Sequence, residues 1–71
     1  MALADVKDSI FRYRAHHPER SVRCFQLNPQ PDGTFKVVVN WTYRGDEYAE
    51  THGTLPAHEK AAFYQWTRYG Q

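Results

Sequence analysis

The residues from Arg12 to Arg23, RYRAHHPERSVR, gather four arginines, two adjacent histidines and a single acid, Glu19. A guanidinium presents a planar fork of N–H donors that matches phosphate or carboxylate. Imidazole adds a base or a metal ligand near neutral pH. The stretch therefore suits a grip on phosphates, a metal site or a grip on an acidic protein surface; a solvated helix end and loop needs no partner at all. The metal reading is the poorest. Adjacent histidines on a helix diverge by about 100°, and the chain's one cysteine, Cys24, does not complete the four ligands a structural zinc needs. No metal and no cofactor are expected.

Catalytic signals are also missing. HEKAA at 58–62 starts like the zinc-protease pattern H-E-x-x-H, but alanine stands at 62, where the second histidine is required. No nucleophile elbow, phosphate-cradling loop or dinucleotide-binding glycine pattern occurs, and Ser9 and Ser21 have no recognisable activating context. Arg44-Gly45-Asp46 reads as hairpin punctuation between two strands rather than as a receptor-binding tripeptide. The chain is therefore expected not to be an enzyme.

The first helix is predicted over residues 3–16. Leu3, Val6, Ile10 and Tyr13 recur at three- and four-residue steps and form its buried stripe. His17 precedes Pro18, and proline disfavours helical geometry in the residue before it. Phe11 leaves this stripe by roughly 100–120° and lies between Lys7 and Arg14. A second helix is opened by Pro56, which suits a first turn. Ala62, Phe63, Trp66 and Tyr69 share one of its faces, and Gly70 is its expected stop. Its other face carries Lys60, Tyr64 and Arg68. Glu59 falls on the apolar stripe, where first-turn placement near the positive dipole end accounts for it. A ring between two cations thus occurs twice. Arginine and aromatic residues are enriched at protein–protein hot spots, and rings also stack on unpaired bases. The candidate docking residues are Lys7, Phe11, Arg12, Arg14, Arg20, Arg23, Lys60, Tyr64 and Arg68.

Three strands are expected between the helices. SVRCFQL at 21–27 is rich in strand formers, and NPQPDG at 28–33 is turn chemistry. TFKVVVNWTY at 34–43 alternates Phe35, Val37, Val39, Trp41 and Tyr43 with more polar positions. A three-residue loop at 44–46 returns the chain into a third strand at 47–54. That loop would place Tyr43 opposite Glu47, Trp41 opposite Ala49, Val39 opposite Thr51 and Val37 opposite Gly53. A two-residue loop would instead bring Glu50 and His52 beside the valines, at a cost in polar burial. The core is expected to hold Ile10, Val37, Val39, Trp41, Phe63 and Trp66. The predicted fold is α+β, in the order α-β-β-β-α, with a three-stranded antiparallel sheet and both helices on one face.

Composition sets the outer bounds. Seventy-one residues suit one small domain. A chain of that size buries only about 60% of its extended surface. Eleven aromatic residues offset this, since each ring can bury on the order of 150–250 Å². A lone cysteine forms no internal disulfide, which suits a reducing compartment or a secreted protein that does not use bridges. The first ten residues carry Asp5 and Asp8 and no apolar run, unlike a secretory signal. No apolar stretch approaches the roughly 18 residues of a membrane span. A cytoplasmic protein without membrane contact is expected. Net charge is +1 with neutral histidines. Residues 1–28 hold five Lys/Arg against three acids, and residues 29–71 hold four against five. A protein that coats nucleic acid is usually far more basic.

At this length the element order resembles the double-stranded RNA-binding domain. FKVVVNW is similar to that family's second strand. Pro29 stands six residues before Phe35, as in its first strand loop, and Ala61-Ala62 falls where its last helix usually has two alanines. The resemblance implies that family's fold and an RNA-binding role. Thr54, Leu55 and His58 stand about where the family has phosphate-binding lysines, and Pro31 replaces its loop histidine, so the likeness supports the fold more than the RNA contact. From these readings, the expected function is that of a small binding module docking a protein partner as a regulator or inhibitor does. RNA or DNA binding stands second, and homodimerisation third.

Overall fold

The computed structural model describes residues 2–69. Helix α1 is Ala2–His16, strand β1 Ser21–Pro29, strand β2 Phe35–Tyr43 and strand β3 Asp46–Leu55. A 3₁₀ turn at Ala57–Glu59 leads into helix α2, Lys60–Tyr69. The sheet is antiparallel in the order β1-β2-β3. The α+β architecture read from the sequence, α-β-β-β-α with both helices on one face, is the one the chain adopts. Gly70, the expected helix stop, lies outside the described residues. Among the described residues no helix is long and apolar enough to cross a membrane.

The core lies between the helix pair and one face of β2. Leu3, Val6 and Ile10 from α1 meet Val37, Val39 and Trp41 from β2, with Leu55, Phe63 and Trp66 completing the cluster. All six residues expected in the core are buried. Two members of the predicted α2 stripe are not: Ala62 is exposed and Tyr69 is 84% exposed. The buried line instead runs from Glu59 through Phe63 to Trp66, and at about 100° per residue Ala62 and Tyr69 lie roughly 60–90° to one side of it.

The hairpin differs from expectation. Its loop has two residues, Arg44 and Gly45, with φ of +51° and +84°, and Tyr43 pairs with Asp46. Positive φ at both central positions is the signature of a type I′ turn, whose twist matches the flanking strands. Trp41 therefore faces Tyr48, not Ala49, and Val39 faces Glu50, not Thr51. The register then shifts by one, so that Val38 pairs with Thr51 while Val37 pairs with Gly53, as expected. His52 is the extra residue of this bulge. A bulge lets one strand change its facing without changing its loop. A strict two-residue alternation has no place for it, which is why the sequence favoured the longer loop.

A second bulge falls at Arg23, between the pairs Val22–Trp41 and Cys24–Asn40. It turns Phe25 and Leu27 onto the same face as Val22, where all three pack against the core. Gly53 has φ of +127°, and a Cβ there would meet Val6 Cγ2 at 3.3 Å. A side chain at 53 would strain the backbone and crowd the contact that seats α1 on β3.

Candidate functional site

The nine candidate docking residues separate into distinct neighbourhoods. Lys7 and Phe11 meet on one ring: Phe11 lies edge-on to Trp66 with centroids 5.9 Å apart, and Lys7 Nζ is 5.6 Å from the Trp66 centroid. Their four-residue helical spacing puts both side chains on one face of α1, toward α2. Phe11 remains 47% exposed. It is anchored on its inner edge and open on its outer one.

The basic residues largely serve the chain itself. Arg12 forms an i, i+4 ion pair with Asp8. Arg14 lies toward Trp41, its guanidinium carbon 5.9 Å from the ring centroid. Arg20 stacks on Tyr48 at 3.9 Å, donates to the Tyr13 hydroxyl and stands 3.7 Å from the Glu19 carboxylate. Arg23, re-aimed by its bulge, pairs with Glu47 of β3. Lys60 covers Phe35 at 4.7 Å. Tyr64 and Arg68 are exposed on α2, with Tyr64 touching Phe63 at a centroid distance of 6.2 Å. Lys7, Arg14 and Lys60, which flank the two exposed rings in sequence, thus each lie over a different ring in space.

Glu59 has a role that dipole placement did not suggest. It is buried, and its Oε2 accepts a hydrogen bond of 3.2 Å from the Leu3 backbone N–H. The first N–H groups of a helix lack partners inside it. A side chain 56 residues away therefore caps α1 and ties the start of the chain to the turn before α2. Local sequence carries no trace of such a long-range cap.

Sequence reasoning also missed a groove of about 330 Å³ between the second half of α1 and β3. Its walls include Ser9, Arg12, Tyr13 and His16 on one side and Glu50, Thr51 and His52 on the other. The bulge turns His52 inward, leaving it only 7% exposed. Its Nδ1 is 2.9 Å from Ser9 Oγ, and its Nε2 accepts a 3.3 Å hydrogen bond from Trp41 Nε1–H. Tyr13 stacks on Trp41 at 4.5 Å and meets the His52 ring edge-to-face at 5.4 Å. The available signal was His52 itself: a polar residue two positions from Glu50, in a strand whose hydrophobic partner is unambiguous.

The hydrogen bonds decide what this histidine can do. Indole N–H is a donor only, so Nε2 must offer a lone pair. Neutral His52 then carries its proton on Nδ1 and donates it to Ser9 Oγ. The imidazole therefore cannot take a proton from Ser9, and the pair does not have the geometry of an activated nucleophile. Burial also pushes the His52 pKa below its ordinary value of 6.5, against an opposing pull from Glu50. No group of three or more His, Cys, Asp or Glu side chains among the described residues is arranged to hold a metal ion.

Comparison with known proteins returned no match to a family model, to a curated protein or to a solved structure.

Proposed function

We propose that the chain is a small non-enzymatic module that docks a protein partner through its helix layer, acting as a regulator or inhibitor by occupying a surface. The supporting observation is the position of the exposed rings. Phe11, Tyr64 and Tyr69 are the large hydrophobic side chains exposed among the described residues, and all three belong to the two helices. Phe11 is held against Trp66, so little side-chain freedom is lost when its open edge is covered. Aromatic anchors with arginine close by are the composition of protein–protein hot spots.

Charge favours a protein over nucleic acid. Arg12, Arg20 and Arg23 already have carboxylates beside them, which phosphates would have to displace. Net charge is only +1. The element order shared with the double-stranded RNA-binding domain supports RNA binding as the second reading. Cytoplasmic residence suits the single, partly buried Cys24.

The test is recovery of partners from the native host, with and without nuclease, using the parent chain and its Phe11→Ala variant. Nuclease-resistant recovery of a protein is expected. Phe11→Ala should raise that complex's off-rate, whereas Arg14→Ala should act mainly on the on-rate. Nuclease-sensitive recovery, with log affinity falling linearly in log salt at about −0.9 per phosphate neutralised, would replace the protein reading with the nucleic-acid one. Recovery of a second copy alone would make the chain a homodimer.

A further inference from the structure

His52 joins three elements through its hydrogen bonds. It stands at the β3 bulge, accepts from Trp41 of β2 and donates to Ser9 of α1. Ring contacts with Tyr13 and Trp41 enclose it, and the groove gives solvent an approach from one side. The other buried charged or polar residue among those described, Glu59, lies at the far end of α1.

We propose that His52 is an acid-sensitive latch whose protonation detaches the β3 bulge from Trp41 and loosens the second half of α1 from the sheet. The bond to Trp41 exists only while Nε2 has a lone pair. A proton added there sets one N–H donor against another across 3.3 Å, and neither can turn away without moving the strand or the indole. The added charge is also buried, and an unpaired buried charge is strongly disfavoured. Ser9 is not the weak point, because its Oγ can accept from Nδ1–H in either charge state.

The groups facing His52 set the direction of the response. From α1 and the turn after it come Arg12, Tyr13, His16 and His17. Glu50 faces it from β3, and β2 contributes Trp41, which does not titrate. Arg12 is tied to Asp8. His16 and His17 stand on the α1 side of the groove, and Glu50 is the carboxylate among the groove-lining residues. Burial holds the closed-state pKa of His52 below 6.5. The opened state, with His52 in water, binds the proton first. The stabilisation is therefore complete above about pH 6.5 and is lost as pH falls below it. Between the opened- and closed-state values, the opened-to-closed ratio rises by up to about tenfold per pH unit.

The experiment follows Trp41 in the full chain from pH 7.5 to 4.5, by near-ultraviolet circular dichroism and by solvent exchange of the indole N–H. Parent, His52→Gln and the double variant His16→Gln/His17→Gln are compared. Glutamine can still accept from Trp41 and donate to Ser9, but it does not titrate. The parent should show faster indole exchange and a loss of near-ultraviolet signal below pH 6.5, with helix content retained. The double variant should keep this transition, and His52→Gln should lack it. A flat parent profile, or the same transition in His52→Gln, would overturn the latch. The imidazole nitrogens of the parent give a reading independent of any variant. At pH 7.5 their NMR signals should show the proton on Nδ1; a proton on Nε2 would overturn the proposal even if His52→Gln failed to fold.

Discussion

Phe11 and Tyr64 have the same surroundings in sequence and different ones in space. Each lies between two cations, Lys7 and Arg14 in one case, Lys60 and Arg68 in the other. Phe11 rests edge-on against Trp66, with Lys7 over the same indole. Among rings of the described residues, Tyr64 touches only its neighbour Phe63, while Lys60 turns away to cover Phe35. They are similarly exposed, at 47% and 42%. Exposure therefore does not separate them; anchorage does. A ring braced by the core can transmit the loss of a contact to the fold and keeps a fixed shape for a partner. A ring standing on the outer helix surface does neither.

The sharpest way to break this comparison is to remove the brace. Trp66 touches Phe11, Phe25 and Phe63 and lies under Lys7. Trp66→Ala should cost about 3–5 kcal/mol by denaturant titration, a large share of the stability available to a domain this small. A variant that unfolds at the parent's midpoint would mean that Trp66 is not the brace. Next in size is Glu59→Ala, which leaves the Leu3 N–H without its acceptor. A loss of about 1–2 kcal/mol is expected, with hydrogen exchange rising first at the start of α1. Glu59→Gln, which keeps a carbonyl acceptor, should recover most of it. Smaller still is Phe11→Ala, at about 0.5–1.5 kcal/mol for the lost edge-to-face contact. Tyr64→Ala should fall within about 0.5 kcal/mol of the parent. Equal losses at positions 11 and 64 would remove the distinction between the two rings.

Periodicity made the layers legible. The 3.6-residue stripe of Leu3, Val6 and Ile10 and the two-residue alternation through Val37, Val39 and Trp41 point at each other, and they do form the core. What periodicity could not carry were its own interruptions. The bulges at Arg23 and His52 each shift a strand by one residue, and only pairing in three dimensions shows where. The hairpin turn was hidden for a related reason: Arg44 takes a positive φ that favours glycine or asparagine, so its residue type gave no signal for a two-residue loop. The candidate docking residues were legible as types but not as a surface. Arg23 could not be paired with Glu47, nor Lys60 with Phe35, before the register was known. The Ser9–His52–Trp41 chain spans 43 residues and three elements, beyond the reach of local pattern.

The proposed docking point for a protein partner is Phe11 of the helix layer. Site-specific photo-crosslinking tests it whatever the identity of the partner. A benzophenone-bearing amino acid replaces Phe11, Tyr64 or, as a control on the opposite face of the sheet, the exposed Ala49 that pairs with Asn40. Irradiation is done in extract of the native host, with and without nuclease. Position 11 should give one discrete protein adduct in both extracts, position 64 a weaker one and position 49 none. An adduct from position 49 alone, or adducts that vanish with nuclease treatment, would contradict docking of a protein through the helix layer.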